Sequence, residues 1–152
     1  MSETKRPTIA SGVCYRDPRA ALKWLETAFG FETTMVVENP DGTIGHSEMT
    51  LGDGLIMVGR EWDERHRSPA SLGGVNTQSL HIHLPGDLDA HCERARVAGA
   101  VITREPADQF YGDRVYMAID PEGHVWSFSQ TLKAMTYEEM SAAGGRPVRE
   151  RL

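Results

Sequence analysis

Residues 116–130, YMAIDPEGHVWSFSQ, contain the pattern that decides the fold. The four residues DPEG at 120–123 place proline second and glycine last, which are the preferred positions of these residues in a tight turn. The segment after the turn alternates large apolar residues with small or polar ones, which predicts a strand with one buried face. We expect Trp126 and Phe128 in the core. The residues on the opposite face are Val125, Ser127 and Ser129.

Length and composition bound the class of protein. The chain has 152 residues, 39% hydrophobic and 25% charged, which fits one soluble domain or two small modules sharing a core. No apolar run approaches the roughly 20 residues that span a membrane, and the N-terminus lacks the apolar segment of a signal peptide. Cys14 and Cys92 are far apart, so we expect a cytoplasmic protein with reduced thiols and no membrane partner.

The net charge excludes one class of partner. The chain carries a formal charge of −6, and no basic cluster is interleaved with aromatic residues. Nucleic-acid binding requires such a basic surface to meet the phosphates. We therefore expect no nucleic-acid partner.

The chain repeats one order of elements, β-α-β-β-β. After an N-terminal extension at 1–8, the first module spans 9–60, and its helix is expected to begin at the N-cap Asp17 and to end at Gly30. A polar segment at 61–77 is a linker or lid.

The second module spans 78–131, with a helix that we expect Asp87 to cap. The segment 132–152 then predicts a short helix, because Thr136 and Glu139 form a capping-box pattern, followed by a flexible tail. Two modules of this kind indicate one fold built from a duplicated unit.

The duplicated βαβββ order, the first helix ending in AFGF and the DPEGHVW hairpin resemble the vicinal oxygen chelate superfamily. This superfamily includes glyoxalase I, the bleomycin- and fosfomycin-resistance proteins and the extradiol dioxygenases. The resemblance covers residues 7–131. It implies an α+β fold in which two βαβββ modules form a curved mixed sheet around a cavity, with the helices outside. It also implies a homodimer in which first-strand exchange is possible.

The resemblance also implies where a metal would bind, and the sequence departs from the family there. The four family ligand positions fall on Ala10, Met57, His81 and Ser127. Only the imidazole of His81 is a good ligand, whereas a catalytic ion normally needs three or four. We therefore expect no cofactor and no metal-dependent glyoxalase activity.

A second set of residues keeps a divalent metal open as an alternative. His46 and Glu48 share one face of their strand, and His81 and His83 share one face of another. Imidazole and carboxylate on two strands could bind zinc or iron. The same residues could instead line a wet cavity or a dimer interface.

Three further residues are expected on the concave face. Cys14 is predicted to be an inert thiol, because Asp17 beside it disfavours a thiolate. Arg114 and Tyr116 are predicted on one strand, with Arg114 either binding an anionic ligand group or pairing with Glu48. The complete set of predicted cavity residues is Cys14, His46, Glu48, Met57, His81, His83, Arg114, Tyr116 and Ser127.

Two functions follow from these residues and the resemblance. The first is a metal-free protein, similar to bleomycin-resistance proteins, that binds a small organic molecule in the concave cavity. The second is a metal-dependent lyase, isomerase or dioxygenase of the same superfamily that uses His46, Glu48, His81 and His83. The sequence assigns no catalytic residue.

Overall fold

Each half of the chain forms a βαβββ unit in the computed structural model, which describes residues 6–152. The first unit comprises β1 (Ser11–Tyr15), α1 (Pro18–Phe29), β2 (Glu32–Glu38), β3 (Ile44–Leu51) and β4 (Gly54–Arg60). The second comprises β5 (Ser79–His83), α2 (Leu88–Val97), β6 (Val101–Asp108), β7 (Asp113–Ile119) and β8 (Val125–Thr131). A 3-10 turn (Pro69–Leu72) lies between the units, and α3 (Tyr137–Gly144) follows them.

The two units form two four-stranded mixed sheets with the same topology. The strand orders are β1-β4-β3-β2 and β5-β8-β7-β6. In each sheet the first strand pairs in parallel with the last, and the other pairs are antiparallel. The α+β fold class expected from the sequence is confirmed. Among the described residues, none of the helices is both long and apolar enough to cross a membrane.

The strand register places equivalent residues of the two modules in matching rows across the sheets. Each row takes one residue from each strand, in the order β1, β4, β3, β2 in the first sheet and β5, β8, β7, β6 in the second. The first row is Gly12, Met57, Glu48 and Met35. The second row is His81, Ser127, Met117 and Arg104. Both rows lie on the face turned away from α1 and α2, which we call the concave face.

The two equivalent helices begin differently. At α1 the side chain of Asp17 accepts a hydrogen bond from the Ala20 amide at 3.1 Å, as expected for an N-cap. Asp87 occupies the N-cap position of α2 as predicted, but it is left-handed (φ 57°) and its side chain makes no capping bond within the described chain. The first amide of α2, that of Leu88, instead donates to Oε1 of Gln130 at 3.1 Å.

One core joins the modules beneath both sheets. Trp126 and Phe128 are fully buried, which confirms the alternation predicted for β8. The ring of Phe29, at the end of α1, lies 5.2 Å from that of Trp126 and 4.7 Å from that of Phe128. Trp24 on α1 donates from Nε1 to the carbonyl oxygen of Ala98 after α2, at 2.7 Å. The helices therefore pack against each other as well as against the sheets.

The turn between β7 and β8 connects the modules through a buried carboxylate. Oδ2 of Asp120 accepts hydrogen bonds from the hydroxyl of Tyr15 on β1 at 2.6 Å and from Nε1 of Trp126 at 3.0 Å. Both donors and Asp120 itself are buried. The second module is thereby bonded to the first strand of the chain.

The next acidic residue of that turn holds the start of α1 and the segment at 61–77. Glu122 accepts from the amides of Arg16 at 2.6 Å and Asp17 at 3.1 Å. It also accepts from the hydroxyl of Ser68 at 2.7 Å. Part of the predicted linker is therefore fixed against the second module.

The C-terminal helix lies outside the core. The Thr136 hydroxyl accepts from the Glu139 amide at 3.1 Å, as the capping-box pattern predicts. None of the residues of α3 is buried.

Candidate functional site

The first module has a cavity of about 630 Å3 on its concave face. Its lining comes from strands β1, β3 and β4 and from the segment 61–78 that follows β4. The lining residues include Gly12, Cys14, His46, Met57, Trp62 and Gln78. The cavity brings together three of the predicted residues, Cys14, His46 and Met57.

An aromatic residue that the sequence reading did not select lies at this cavity. Trp62 is 67% exposed and stacks on the ring of His66, with centroids 4.1 Å apart and 21° between the planes. Nδ1 of His66 is 2.7 Å from Oδ1 of Asp63, which fixes the ring. The signal in the sequence was a single tryptophan within an otherwise polar segment.

The thiol of Cys14 lies in the lining as an inert group. Burial raises the pKa of Cys14, and the negative charges of Glu61 and Asp63 raise it further. A protonated thiol is a poor nucleophile. The carbonyl oxygen of Cys14 accepts from Nε2 of His124 at 2.6 Å, so the backbone here is fixed by the second module.

A buried carboxylate lies in the centre of the first row. The side chain of Glu48 is 5% exposed, and its two oxygens accept from NH1 and NH2 of Arg6 at 3.1 and 2.8 Å. Nε2 of His46 lies 3.1 Å from Oε2. The hydrogen bond from Arg6, and next that from His46, hold the pKa of Glu48 below its usual value, so the group is ionised at neutral pH.

A network of imidazoles and hydroxyls joins β5 and β8 at and next to the second row. Nδ1 of His81 is 2.6 Å from Oγ of Ser127, and its Nε2 is 3.0 Å from Oγ of Ser129. Nδ1 of His83 is 3.1 Å from the same Ser129 oxygen. A neutral imidazole with a hydroxyl at each nitrogen is satisfied as one donor and one acceptor.

Two predicted cavity residues lie on the opposite face of their strand. Tyr116 pairs with Phe128 and is buried in the core, where its hydroxyl donates to Nδ1 of His91 at 2.6 Å. Arg114 pairs with Asp89 on α2 at 2.8 Å rather than with Glu48. The placement of both on the concave face was wrong, because directly paired residues share a face and Phe128 faces the helices.

One of the expected metal positions was also misplaced. Ala10 lies one residue before β1, and Gly12 is the residue opposite Met57, as His81 is opposite Ser127. The position equivalent to His81 therefore has no side chain.

The alternative metal set is divided between the two sheets. His46 and Glu48 lie on β3, whereas His81 and His83 lie on β5. Within residues 6–152, no three His, Cys, Asp or Glu side chains are grouped so that they could hold an ion. The four residues are therefore not one donor set within this chain.

A smaller cavity lies where the two modules meet. It has a volume of about 390 Å3 and is lined by residues including Ile9, Ser11, Leu55, His81 and His83. Between the two cavities, Nε2 of Gln78 donates to Oγ of Ser11 at 2.7 Å. Of the predicted site residues, Cys14, His46 and Met57 line the first cavity and His81 and His83 line the second, whereas Glu48 and Ser127 line neither.

The sequence matches a known family over most of its length. Residues 8–128 match the Glyoxalase/Bleomycin resistance protein/Dioxygenase superfamily, and the chain belongs to it. An uncharacterized protein of Mycobacterium tuberculosis H37Rv is 28% identical over 147 residues, which cover 94% of this chain and 85% of the relative.

Solved structures of related proteins share the architecture. TioX from Micromonospora sp. ML1 is 32% identical and superposes with a TM-score of 0.68, covering 83% of this chain and 99% of TioX. TnmS3 from Streptomyces sp. CB03234, described as an antibiotic binding protein, has a TM-score of 0.63 at 20% identity, covering 83% of this chain and 99% of TnmS3.

Proposed function

We propose that this protein binds a small organic molecule in the cavity of the first module, and that it does so without the usual metal centre of the family. The observation that carries the proposal is the cavity itself. Its volume of about 630 Å3 falls within the roughly 300–1,000 Å3 of small-molecule sites. Apolar lining with a few polar groups is also typical of such sites.

The lining favours a flat, largely apolar ligand. The thioether of Met57 adapts to different shapes, and the exposed indole of Trp62 offers a stacking surface. His46, His66 and Gln78 supply polar groups at the same cavity, and Arg60 adds a positive charge. TnmS3, which shares this fold, is an antibiotic binding protein, and this supports small-molecule binding as the kind of function.

Binding without a metal is supported by the chemistry of the family positions. Gly12 offers no side chain, Met57 a thioether, and Ser127 a neutral hydroxyl that is bonded to His81. A thioether favours soft Cu(I), and a hydroxyl is a poor ligand for divalent ions. The one imidazole is therefore left without protein co-ligands at these positions.

A homodimer is part of the proposal. The edge strand β2 exposes Met35, Val36 and Val37 consecutively, at 41, 45 and 48%. An apolar edge of this kind is suited to coverage by a second copy. Light scattering at micromolar concentration should give about twice the monomer mass of 16.8 kDa. A mass near the monomer value would contradict this.

The binding proposal is tested by filling the cavity. A Cβ built on Gly12 meets nothing within 4 Å in the described chain, so Gly12→Leu should fold and occupy the cavity. Gly86, which lies outside that lining, has the same freedom and provides the control Gly86→Leu. Purified proteins would be extracted with organic solvent, and the extracts compared by mass spectrometry.

The expected result is a small molecule retained by the wild type and by Gly86→Leu but lost from Gly12→Leu. Equal retention by all three proteins would place binding elsewhere. Absence of any retained molecule from the wild type, after expression in its native host, would also contradict the proposal.

A further inference from the structure

The N-terminal segment crosses the concave face of the first module to reach Glu48. Gly12, Met57 and Glu48 are consecutive members of the first row, so Glu48 lies two strands from Gly12. Two strand spacings amount to about 10 Å. Arg6 precedes Gly12 by six residues, which in an extended chain would carry it roughly 20 Å beyond Gly12 along the line of β1. Its guanidinium instead contacts the carboxylate of Glu48, which is level with Gly12 in the same row. The chain before β1 therefore turns back over the sheet instead of continuing along the line of the strand.

The two partners of this ion pair differ greatly in exposure. The Glu48 side chain is 5% exposed, whereas that of Arg6 is 61% exposed. A buried carboxylate needs a cation and hydrogen-bond donors, because leaving it bare in a cavity is unfavourable. An exposed arginine on a short tether loses little when it returns to water. The carboxylate is thus a fixed part of the sheet, and the cation is exchangeable.

The geometry defines which cations could replace Arg6. Its two terminal nitrogens each donate to a different oxygen of Glu48, which is the bidentate fork of a guanidinium. His46 holds Oε2 from the side that also lines the cavity of about 630 Å3. Glu48 itself does not line that cavity, but its neighbours His46 and Met57 do. A planar cation of a ligand in the cavity would therefore reach the carboxylate beside His46, by taking the place of Arg6 on the two oxygens.

We infer that Glu48 is the anchor for a guanidinium or amidinium group of the ligand, and that Arg6 occupies this anchor as an internal competitor until the ligand displaces it. The inference rests on the proposed function, since it specifies the ligand class of the same cavity. It makes the N-terminal segment a competitive strap whose removal should strengthen binding.

The test uses a planar cation and its neutral counterpart. Benzamidine carries an aromatic amidinium, and benzamide has nearly the same shape without the charge. Each would be titrated to about 10 mM into 15N-labelled protein, and amide shifts followed at Gly12, His46 and Met57. The variants are Arg6→Gln, Glu48→Gln and, as a matched control on an exposed glutamate of β2, Glu32→Gln.

Arg6→Gln should bind benzamidine about two- to fivefold more tightly than the wild type, the range set by losing an exposed competing ion pair. Glu48→Gln should weaken binding about tenfold or more, because a charge-assisted bidentate pair is lost. Glu32→Gln should match the wild type, and benzamide should bind weakly and equally to all four proteins.

Three results would overturn the inference. These are no benzamidine shifts in Arg6→Gln, equal binding by Arg6→Gln and the wild type, and equal binding of benzamide and benzamidine. The last two do not depend on whether Glu48→Gln folds. If the molecule extracted from the wild type is retained equally by folded Glu48→Gln, the proposed function stands and the anchor fails. If benzamidine binds at Glu48 but no molecule is ever retained, the anchor stands and the proposed function fails.

Discussion

The two rows that cross the sheets occupy equivalent backbone positions and carry different chemistry. In the first row the third strand holds the carboxylate of Glu48, whereas the equivalent residue of the second row is Met117. In the second row the first strand holds the imidazole of His81, whereas the equivalent residue of the first row is Gly12. The first row therefore carries an ionised carboxylate paired with Arg6, and the second carries an imidazole bonded to two hydroxyls.

The concave faces of the two modules therefore differ in the space and the charge that they offer. Gly12 leaves room in the first module, and Glu48 supplies its charge. In the second module, the bonds of His81 to Ser127 and Ser129 satisfy the ring within the chain. A duplicated backbone supplies matching positions, but only side-chain chemistry makes a position a site. Mutations and added metals can show whether the two rows depend on one core, which face of β7 carries Tyr116, and whether residues of both sheets bind one ion.

The largest effect is expected where both rows depend on one core. Trp126→Ala should destabilise the protein by about 3–5 kcal/mol, as for other large buried aromatic residues. Trp126 is fully buried against the first module, so both sheets should lose stability in one transition. Urea denaturation measures this, with exposed Trp62→Ala as the control, expected within about 0.5 kcal/mol of the wild type. Unchanged unfolding of Trp126→Ala would mean that the faces of β8 are inverted.

A smaller effect is expected from the residue beneath the second row. Tyr116→Phe removes the hydroxyl that donates to His91 and leaves a partly buried nitrogen without that donor. We expect a loss of about 1–3 kcal/mol in unfolding free energy, without a change in ligand binding. The exposed Tyr137→Phe should change neither quantity. Loss of binding at unchanged stability would return Tyr116 to the concave face.

The contact between the two helices should make stability depend on pH. His91 on α2 accepts from Tyr116 and donates from Nε2 to the carbonyl oxygen of Phe29 at 2.8 Å, so it is held in the neutral form. Burial lowers the pKa of His91, and the charge of Arg94 adds to this, against the opposing effect of the Phe29 carbonyl. Protonation of the ring is therefore favoured in the unfolded chain.

The sign of the pH effect follows from that lowered pKa. Above the unfolded value of about 6.5 the contribution of His91 is fully present, and it is lost as pH falls toward the folded pKa. The slope from this one group is at most about 1.4 kcal/mol per pH unit. Urea denaturation between pH 7.5 and pH 5, compared in the wild type and His91→Gln, isolates the contribution. Identical slopes would show that His91 does not titrate differently on unfolding.

The smallest effect is expected from metals, and it tests whether the rows share an ion. Zinc, nickel or manganese added to dialysed protein should leave the melting temperature nearly unchanged, as should a chelator. An ion at 100 times its Kd would add about 2.7 kcal/mol, which a thermal melt would detect. A saturable rise that disappears in His46→Ala or His83→Ala would identify the alternative site. A rise lost only in His81→Ala would indicate ligands from a second chain.

The sequence by itself determined the fold class and much of the strand pattern. Alternation in HVWSFS, the turn residues in DPEG and the Asp17 cap are local signals, because each depends on backbone geometry within a few residues. The repeated order of elements and the family resemblance then gave the two-module architecture. The same alternation predicts that His46 and Glu48 share one face of β3, and in the structure Glu48 lies opposite Met57 as His81 lies opposite Ser127.

Only the tertiary structure decided which of these residues meet and what holds them. Arg6 reaches Glu48 across 42 positions of sequence, and Asp120 reaches Tyr15 across 105. The pairing of Tyr116 with Phe128 decides that the Tyr116 side chain faces the helices. The first amide of α2 is bonded by the side chain of Gln130, which is distant in sequence. Such contacts depend on how sheets and helices pack, and local periodicity does not encode them. The chemistry of the concave face is therefore set by long-range pairing, whereas its backbone is set by local pattern.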